Sequence, residues 1–298
     1  EVMPPKGYVI SQQTYDVDVK EGDAEKTAAF QNEETLLRIK KISKRENDAD
    51  PEKGIAGVSF IVRRKTQKED GGKLYTTDVN GMIEIKGLVP GTYILREETT
   101  PDGYVANEKN YEFTIDENGL IEKQHGYMIV VENGYTRTEF LKTDKASQKP
   151  VSGATLRLTD AKGKTIDTWV SGKTPHRINR LAAGEYVLTE LEAPKGYKKG
   201  LPLKCVVKNT ESIQTFVMED VKLVNIYVDK VIHGSEIVWA HGNPVFTFRV
   251  QGTDLDGEKH IYYDAVEFTK EGTDNLGDVK RSISFEVPAG EYTVSECK

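Results

Sequence analysis

The chain has 298 residues, of which 37% are hydrophobic and 30% are charged, the composition of a soluble globular protein. No apolar run is long enough to cross a bilayer, so we expect no membrane insertion in this chain. The net charge of −7, with both signs interspersed, argues against nucleic acid as a partner. The two cysteines, Cys205 and Cys297, are too few for a disulfide framework or a zinc site.

The predicted elements are short β-strands separated by turns. Alternation with a period of two residues marks the segments 92–96, 111–115, 154–158 and 245–250. Turn signals of the Asn-Gly, Lys-Gly and Asp-Gly type lie at 80–81, 118–119, 133–134, 162–163 and 256–257. No segment shows a helical stripe with caps. We therefore predict an all-β fold of tandem Ig-like antiparallel sandwiches.

One phrase recurs along the chain: a tyrosine strand, a glutamate, a proline four residues later, and then Gly-Tyr. It is complete at 91–104 and 184–197, its tail opens the chain at 1–8, and its head closes the chain at 290–296. Its glutamates recur about one hundred residues apart, at Glu1, Glu97, Glu190 and Glu296. A fixed phrase at that spacing indicates a tandem array of domains.

Aligning the copies predicts four units. They are the closing strands of a truncated domain at 1–33, complete domains at 34–134 and 135–221, and a truncated, divergent domain at 222–298. Linkers between them are almost absent, which favours a stiff, rod-like array. Because both ends fall inside a repeat, we expect this chain to be a segment of a longer protein.

Each repeat places polar groups on strand faces that are otherwise apolar. A lysine ends the first strand, the repeated glutamate follows the tyrosine strand, and an Asn or Asp ends the last strand. Strand alternation puts each of them on the same side as apolar neighbours, so we expect them to project into the cores. The lysines are Lys41, Lys142 and Lys230, and the last-strand residues are Asn32, Asn133 and Asp220.

Burying these three polar groups without interaction partners would cost several kcal/mol each. In a dry environment an amine and a carboxylic acid both favour their neutral forms. A neutral amine is a nucleophile, and a protonated carboxyl can shuttle protons, so attack on Asn would release ammonia and attack on Asp would release water. For a single domain, a buried ion pair or three solvated residues is the simpler interpretation. Recurrence of the trio at equivalent positions favours amide formation.

The phrase Tyr-x-Leu-x-Glu-x-x-x-Pro-x-Gly-Tyr resembles the E-box of Cna B-type, or SpaA-like, domains. These domains occur in Gram-positive surface proteins and sortase-assembled pilins. The segments 41–43, 142–144 and 230–232 resemble the Lys-Val-Asp phrase of the family, and 54–60 and 150–156 resemble its following hairpin. The likeness covers essentially the whole chain.

The resemblance implies self-formed intramolecular isopeptide bonds. Lys41 would bond Asn133 with Glu97 assisting, and Lys142 would bond Asp220 with Glu190 assisting. The remaining sets are incomplete, since Glu1 and Asn32 lack a lysine and Lys230 and Glu296 lack an acceptor. No cofactor or metal is implied, and the five histidines and the acidic turn at 254–257 are expected to be solvated.

The predicted function is structural rather than enzymatic. We expect an extracellular stalk segment of a Gram-positive cell-wall-anchored protein, an adhesin or pilus-like molecule. Sortase and peptidoglycan would engage regions outside this segment. Since neither a pilin lysine motif nor a sorting pentapeptide is visible, a stalk is favoured over a polymerising shaft subunit. The alternative is an adhesin module that recognises a host matrix or cell-surface ligand, protein or carbohydrate, with the insertion at 63–73 as its tip.

Overall fold

The computed structural model describes residues 1–23, 25–47, 49–69, 71–233, 239–270 and 277–297. The chain divides into two compact units. The first comprises Glu1–Arg137, Asn179–Ala183 and Lys208–Ile213, and the second comprises Thr138–Ile178, Gly184–Val207 and Gln214–Lys298. Each is described by itself below. We call residues 34–134, 135–221 and 222–298 the first, second and third repeats.

The all-β prediction is confirmed. The first repeat holds β1 Leu36–Ser43, β2 Lys53–Gly54, β3 Ser59–Arg64, β4 Lys73–Thr76, β5 Met82–Lys86, β6 Gly91–Thr99, β7 Tyr104–Val105, β8 Tyr111–Ile115 and β9 Tyr127–Tyr135. The second holds β10 Arg137–Asp144, β11 Thr155–Asp160, β12 Thr165–Val170, β13 His176–Asn179, β14 Gly184–Glu192, β15 Leu203–Val207 and β16 Ile213–Asp220. The third holds β17 Leu223–His233, β18 Val245–Asp254, β19 Lys259–Glu267, β20 Asp278–Pro288 and β21 Gly290–Glu296, with a short 3-10 turn at Trp239–His241. Within the described residues, no helix is long and apolar enough to span a bilayer.

Two sheets form the sandwich of the first repeat. One has the strand order β2-β1-β9-β7, and its fifth strand, β5, also pairs with β1. The second has the order β4-β3-β6-β8. Alternate residues of both sheets interleave in one apolar core, which includes Leu37, Phe60, Leu95, Phe113 and Val131. The first and last long strands, β1 and β9, are parallel neighbours. This pairing lays the first and last long strands of the repeat side by side, running in the same direction.

The second repeat follows the same plan. Its sheets have the orders β13-β10-β16 and β12-β11-β14-β15, so β10 again lies beside the last strand of the repeat. The third repeat has β17 paired with β20 and a second sheet with the order β19-β18-β21. In the described residues, β17 pairs with β20 alone, whereas β1 has neighbours on both edges.

Two local predictions are wrong. The described part of 1–33 forms no strand, and only an isolated bridge joins Tyr8 to Glu34. The Asn-Gly pair at 133–134 is not a turn but lies inside β9. Pairing with β1 overrides the local turn preference, because the backbone carbonyl of Asn133 accepts a 2.8 Å hydrogen bond from the amide of Lys44.

Candidate functional site

Strand β1 carries its lysine into the core, as predicted. Leu37, Ile39 and Lys41 are all fully buried, while the residues between them are partly exposed. The parallel register with β9 sets Lys41 opposite Val131 and Ser43 opposite Asn133. The lysine and the asparagine therefore enter the same region of the core from adjacent strands.

Strand alternation turns Glu97 inward, and a β-bulge follows it on β6. Along the β3–β6 pair, Phe60 lies opposite Glu97 but Ser59 lies opposite Thr99, so one extra residue, Glu98, is accommodated on β6. Bulges redirect side chains and end regular pairing. The side chain of Glu97 is only 1% exposed, and the carboxyl lies in the apolar core between the two sheets.

In the first site, one carboxyl bridges an amine and a carboxamide. The amine of Lys41 contacts Oδ1 of Asn133 directly, and its Nζ lies 3.3 Å from Oε2 of Glu97. The Nδ2 group of Asn133 donates a 2.6 Å hydrogen bond to Oε1 of Glu97. The two oxygens of Glu97 therefore face the two nitrogens that would exchange places in amide formation.

Burial changes the charge state of this lysine. Loss of solvation lowers the pKa of Lys41 to about 8, against the opposing attraction of Glu97. At pH 7 roughly a tenth of such an amine is neutral, compared with less than roughly a thousandth for an exposed lysine. The site therefore supplies a nucleophile near neutral pH.

The second site repeats this geometry on β10, β14 and β16. The amine of Lys142 contacts Oδ1 of Asp220 and lies 3.5 Å from Oε2 of Glu190, with both of these side chains fully buried. The same bulge recurs, since Leu156 lies opposite Glu190 and Thr155 lies opposite Glu192. Glu190 therefore lies on the buried face of β14, directly before the bulge.

The acceptor of the second site is an acid rather than an amide. Loss of solvation raises the pKa of Asp220 to about 7, and the neighbouring Glu190 adds to the rise while Lys142 opposes it. Oδ2 of Asp220 and Oε1 of Glu190 are both buried without a hydrogen-bond partner. One proton shared between these oxygens would satisfy both.

Two residues that contact the sites are not predicted from the sequence. The hydroxyl of Thr100 accepts a 3.0 Å hydrogen bond from Nδ2 of Asn133. In the second site the amide of Gly200 donates a 2.5 Å hydrogen bond to Oε2 of Glu190. Aligning the repeats sets Thr100 against Ala193 and Gly200 against Asn107, but such an alignment gives no sign that these loop residues face a core site.

Gly200 also leaves room for the reacting groups. A methyl group at this position would lie 2.5 Å from Oδ1 of Asp220 and 2.9 Å from Nζ of Lys142. Both distances are too short for a carbon contact. A side chain at this position would therefore displace the lysine–aspartate pair from its observed place.

The incomplete sets meet, but the prediction that they are buried is wrong. Nδ2 of Asn32 donates 2.9 Å hydrogen bonds to both oxygens of Glu1, which is exposed. Nζ of Lys230 lies 2.9 Å from Oε2 of Glu296, with side chains 22% and 44% exposed.

The acidic turn at 254–257 differs from the solvated turn we predicted. The side chain of Asp254 is fully buried, and the carboxyls of Asp254 and Glu258 each lie 2.6 Å from Nζ of Lys198. Burial raises the pKa of Asp254, but hydrogen bonds from Lys198 and His260 more than offset this and hold it well below the usual range. Asp254, Glu258 and His260 group three ligand-type atoms, and the chain itself places a cation among them.

Comparison with known families agrees with this architecture. The sequence model of the SpaA family, described as a prealbumin-like fold domain, matches residues 38–126 and 136–222, together more than half of the chain. The chain belongs to the SpaA family of prealbumin-like domains. Each match contains one of the two glutamates, Glu97 and Glu190, and the first match ends just before β9.

Similar proteins come from Gram-positive bacteria. Serine-aspartate repeat-containing protein F of Staphylococcus epidermidis is 30% identical over 168 residues, which is 49% of this chain and 10% of that protein. The trypsin-resistant surface T6 protein of Streptococcus pyogenes is 25% identical over 209 residues, 64% of this chain and 37% of that protein. The chain therefore spans only a small part of these relatives.

Among solved structures, the Bacillus anthracis TIE protein matches 89% of this chain and 45% of its own, at 20% identity and a TM-score of 0.42. Shaft pilin SpaA from Lactobacillus rhamnosus GG matches 62% of this chain and 97% of its own, at 14% identity and a TM-score of 0.31. By their names, the T6 protein is a surface protein and SpaA is a shaft pilin.

Proposed function

We propose that this chain is a stalk segment of a Gram-positive cell-wall-anchored surface protein in which each complete repeat closes its own amide bond. The bonds join Lys41 to Asn133 and Lys142 to Asp220. The observation that carries this proposal is the carboxyl of Glu97, which lies between the amine of Lys41 and the carboxamide nitrogen of Asn133 inside a dry core.

At the first site, transfer of the ammonium proton of Lys41 to Glu97 gives a neutral amine beside a neutral acid. The amine attacks Cγ of Asn133, and Glu97 then returns a proton to Nδ2 while taking another from Nζ. The C–Nδ2 bond breaks and ammonia leaves. The lysine nitrogen has lost two protons, one carried away in ammonia and one kept by Glu97, so charge and atoms balance.

At the second site the same steps release water. A carboxylate is a poor electrophile, so Asp220 must carry a proton when the amine of Lys142 attacks. The raised pKa of Asp220, about 7, provides this form at neutral pH. The hydroxyl of Asp220 then leaves with one proton from the lysine, and Glu190 keeps the other.

The bonds would matter mechanically and thermodynamically. They would close loops of 92 and 78 residues between the first and last long strands of the two repeats. By analogy with disulfides, each closure removes about 4–5 kcal/mol of unfolded-state entropy. A covalent link between the first and last strands also carries tension past the hydrogen-bonded sheets, and an amide is not reduced as a disulfide is.

The location and partners follow from this role. We assign the chain to the extracellular face of the cell wall, with attachment by sortase to peptidoglycan through parts of the longer protein outside this chain. Ligand recognition through the 63–73 insertion stays a prediction, since residue 70 lies outside the described residues. A pull-down of the chain with host matrix proteins, compared with a version that has a shortened 63–73 loop, tests it.

Intact-mass spectrometry of the folded protein tests the proposal. We expect a deficit of one ammonia plus one water relative to the encoded mass. Glu97→Gln should restore only the ammonia and Glu190→Gln only the water, while Lys230→Gln should leave both deficits in place. Folded protein at its full encoded mass would contradict amide formation and leave the fold unaffected.

A further inference from the structure

The leaving nitrogen of the first site is held by two acceptors. Nδ2 of Asn133 has two hydrogens, and it donates one to Oε1 of Glu97 at 2.6 Å and the other to Oγ1 of Thr100 at 3.0 Å. The carboxamide oxygen faces Lys41 on the opposite side. Turning the carboxamide over would break both donated bonds and remove the oxygen from the amine, so Thr100 helps fix the orientation that attack requires.

The hydroxyl of Thr100 lies beside the leaving nitrogen of Asn133. It follows the end of β6 directly, three residues after Glu97, in the half-buried segment beyond the bulge. The equivalent residue of the second repeat is Ala193, and the acceptor there is Asp220, whose leaving group is a hydroxyl rather than an amino group. The repeat with the amide acceptor thus has a threonine at this position, and the repeat with the acid acceptor has an alanine.

The chemistry gives this contact a role during the reaction. Once the lysine has attacked, Nδ2 becomes pyramidal and must turn its lone pair toward Glu97 to receive a proton. The hydrogen bond to Glu97 has to be given up for that step, whereas the bond to Thr100 can persist and anchor the nitrogen. After ammonia has left, Asn133 has no amino group, and this interaction no longer exists.

We propose that Thr100 is a catalytic residue of the first site, one that orients the carboxamide of Asn133 and holds the departing nitrogen during proton transfer. This inference rests on the amide formation proposed above. It concerns the rate of reaction and not the stability of the product, because the atom that Thr100 contacts is lost as ammonia. Its hydroxyl is therefore needed only until the bond has formed.

The test follows bond formation in the full chain carrying Glu190→Gln, so that only the first repeat can react. The protein is made by cell-free synthesis, samples are quenched in acid denaturant at set times, and the ammonia deficit is read by intact mass. Thr100→Val, which keeps the shape and removes the hydroxyl, should react about tenfold more slowly, the effect of one lost hydrogen bond. Thr100→Ser should react within about twofold of the parent rate.

A second readout separates catalysis from folding. Fully reacted Thr100→Val protein should have the same Tm as the fully reacted parent. Equal rates for the parent and Thr100→Val would overturn the inference while leaving amide formation intact, and so would a slow Thr100→Ser or a lowered Tm of the reacted valine variant. Absence of any ammonia loss in the parent would overturn both the inference and the proposed function.

Discussion

The first two repeats and the third repeat use similar residues with opposite results. Lys41 and Lys142 are fully buried against a glutamate and an acceptor, whereas Lys230 meets Glu296 in a partly exposed ion pair. The difference lies in burial. The side chains of Glu97 and Glu190 are 1% and 0% exposed, whereas that of Glu296 is 44% exposed. The same residue type at an equivalent position is therefore not enough, since burial separates the two sets that we propose to react from a partly exposed ion pair.

The two complete sites also differ from each other in the residues that lie beside their acceptors. Asn133 has Thr100 beside its nitrogen, while Asp220 has the backbone of Gly200 beside its oxygen. The shared glutamate fits a common proton relay, and the differing neighbours fit different leaving groups. The following variants test this comparison in order of decreasing effect.

Removing the amine of a complete site should have the largest effect. Lys41→Met keeps much of the apolar volume and prevents closure of the 92-residue loop. We expect the free energy of unfolding of the first repeat to fall by about 4–5 kcal/mol, measured by chemical denaturation. Lys230→Met is the matched control and should change stability by less than about 1 kcal/mol. Equal effects of the two substitutions would remove the distinction between the repeats.

Filling the space at Gly200 should disable the second site alone. Gly200→Ala places a methyl group against Asp220 and Lys142. We therefore expect the fraction of molecules with a closed second site to fall by roughly tenfold or more at a fixed early time. Peptide mapping would measure both sites in one sample. Asn107→Ala, at the equivalent position of the first repeat, is the control and should leave ammonia loss unchanged. Normal water loss in Gly200→Ala would show that the close approach is unimportant.

The two sites should also respond differently to pH. The second site needs a proton on Asp220, whose raised pKa is about 7, so its rate should fall as pH rises above 7. The first site needs the proton shared by Lys41 and Glu97, and the pKa of Lys41 is about 8, so its rate should fall only above pH 8. Timed quenching at several pH values measures both rates in one molecule. Coincident profiles would contradict the assigned difference between acid and amide acceptors.

The smallest expected effect concerns the buried acidic turn of the third repeat. Lys198→Met leaves Asp254 buried without its ammonium partner and should lower stability by about 2 kcal/mol. Lys280→Met removes the exposed pair with Asp229 and should cost less than about 1 kcal/mol. Denaturation curves would measure the stability of both variants. An equally small loss of stability in Lys198→Met would mean that water hydrogen-bonds Asp254 in place of the ammonium group.

The sequence allowed the lysine, glutamate and acceptor of both complete sites to be placed on inward strand faces, because period-two alternation and repetition act together. It did not allow Thr100 or Gly200 to be found, since each reaches its site from a loop whose approach depends on the folded chain. The bulges beside Glu97 and Glu190 could not be predicted from the sequence either. The prediction of a turn at the Asn-Gly pair 133–134 is wrong because strand pairing outweighs a local turn preference.

The most direct measurement is tandem mass spectrometry of proteolytic fragments from the folded protein. The account predicts branched peptides in which Lys41 is joined to Asn133 and Lys142 to Asp220, with Lys230 recovered in a linear peptide. Full recovery of linear peptides that carry unmodified Lys41, Asn133, Lys142 and Asp220 would contradict it.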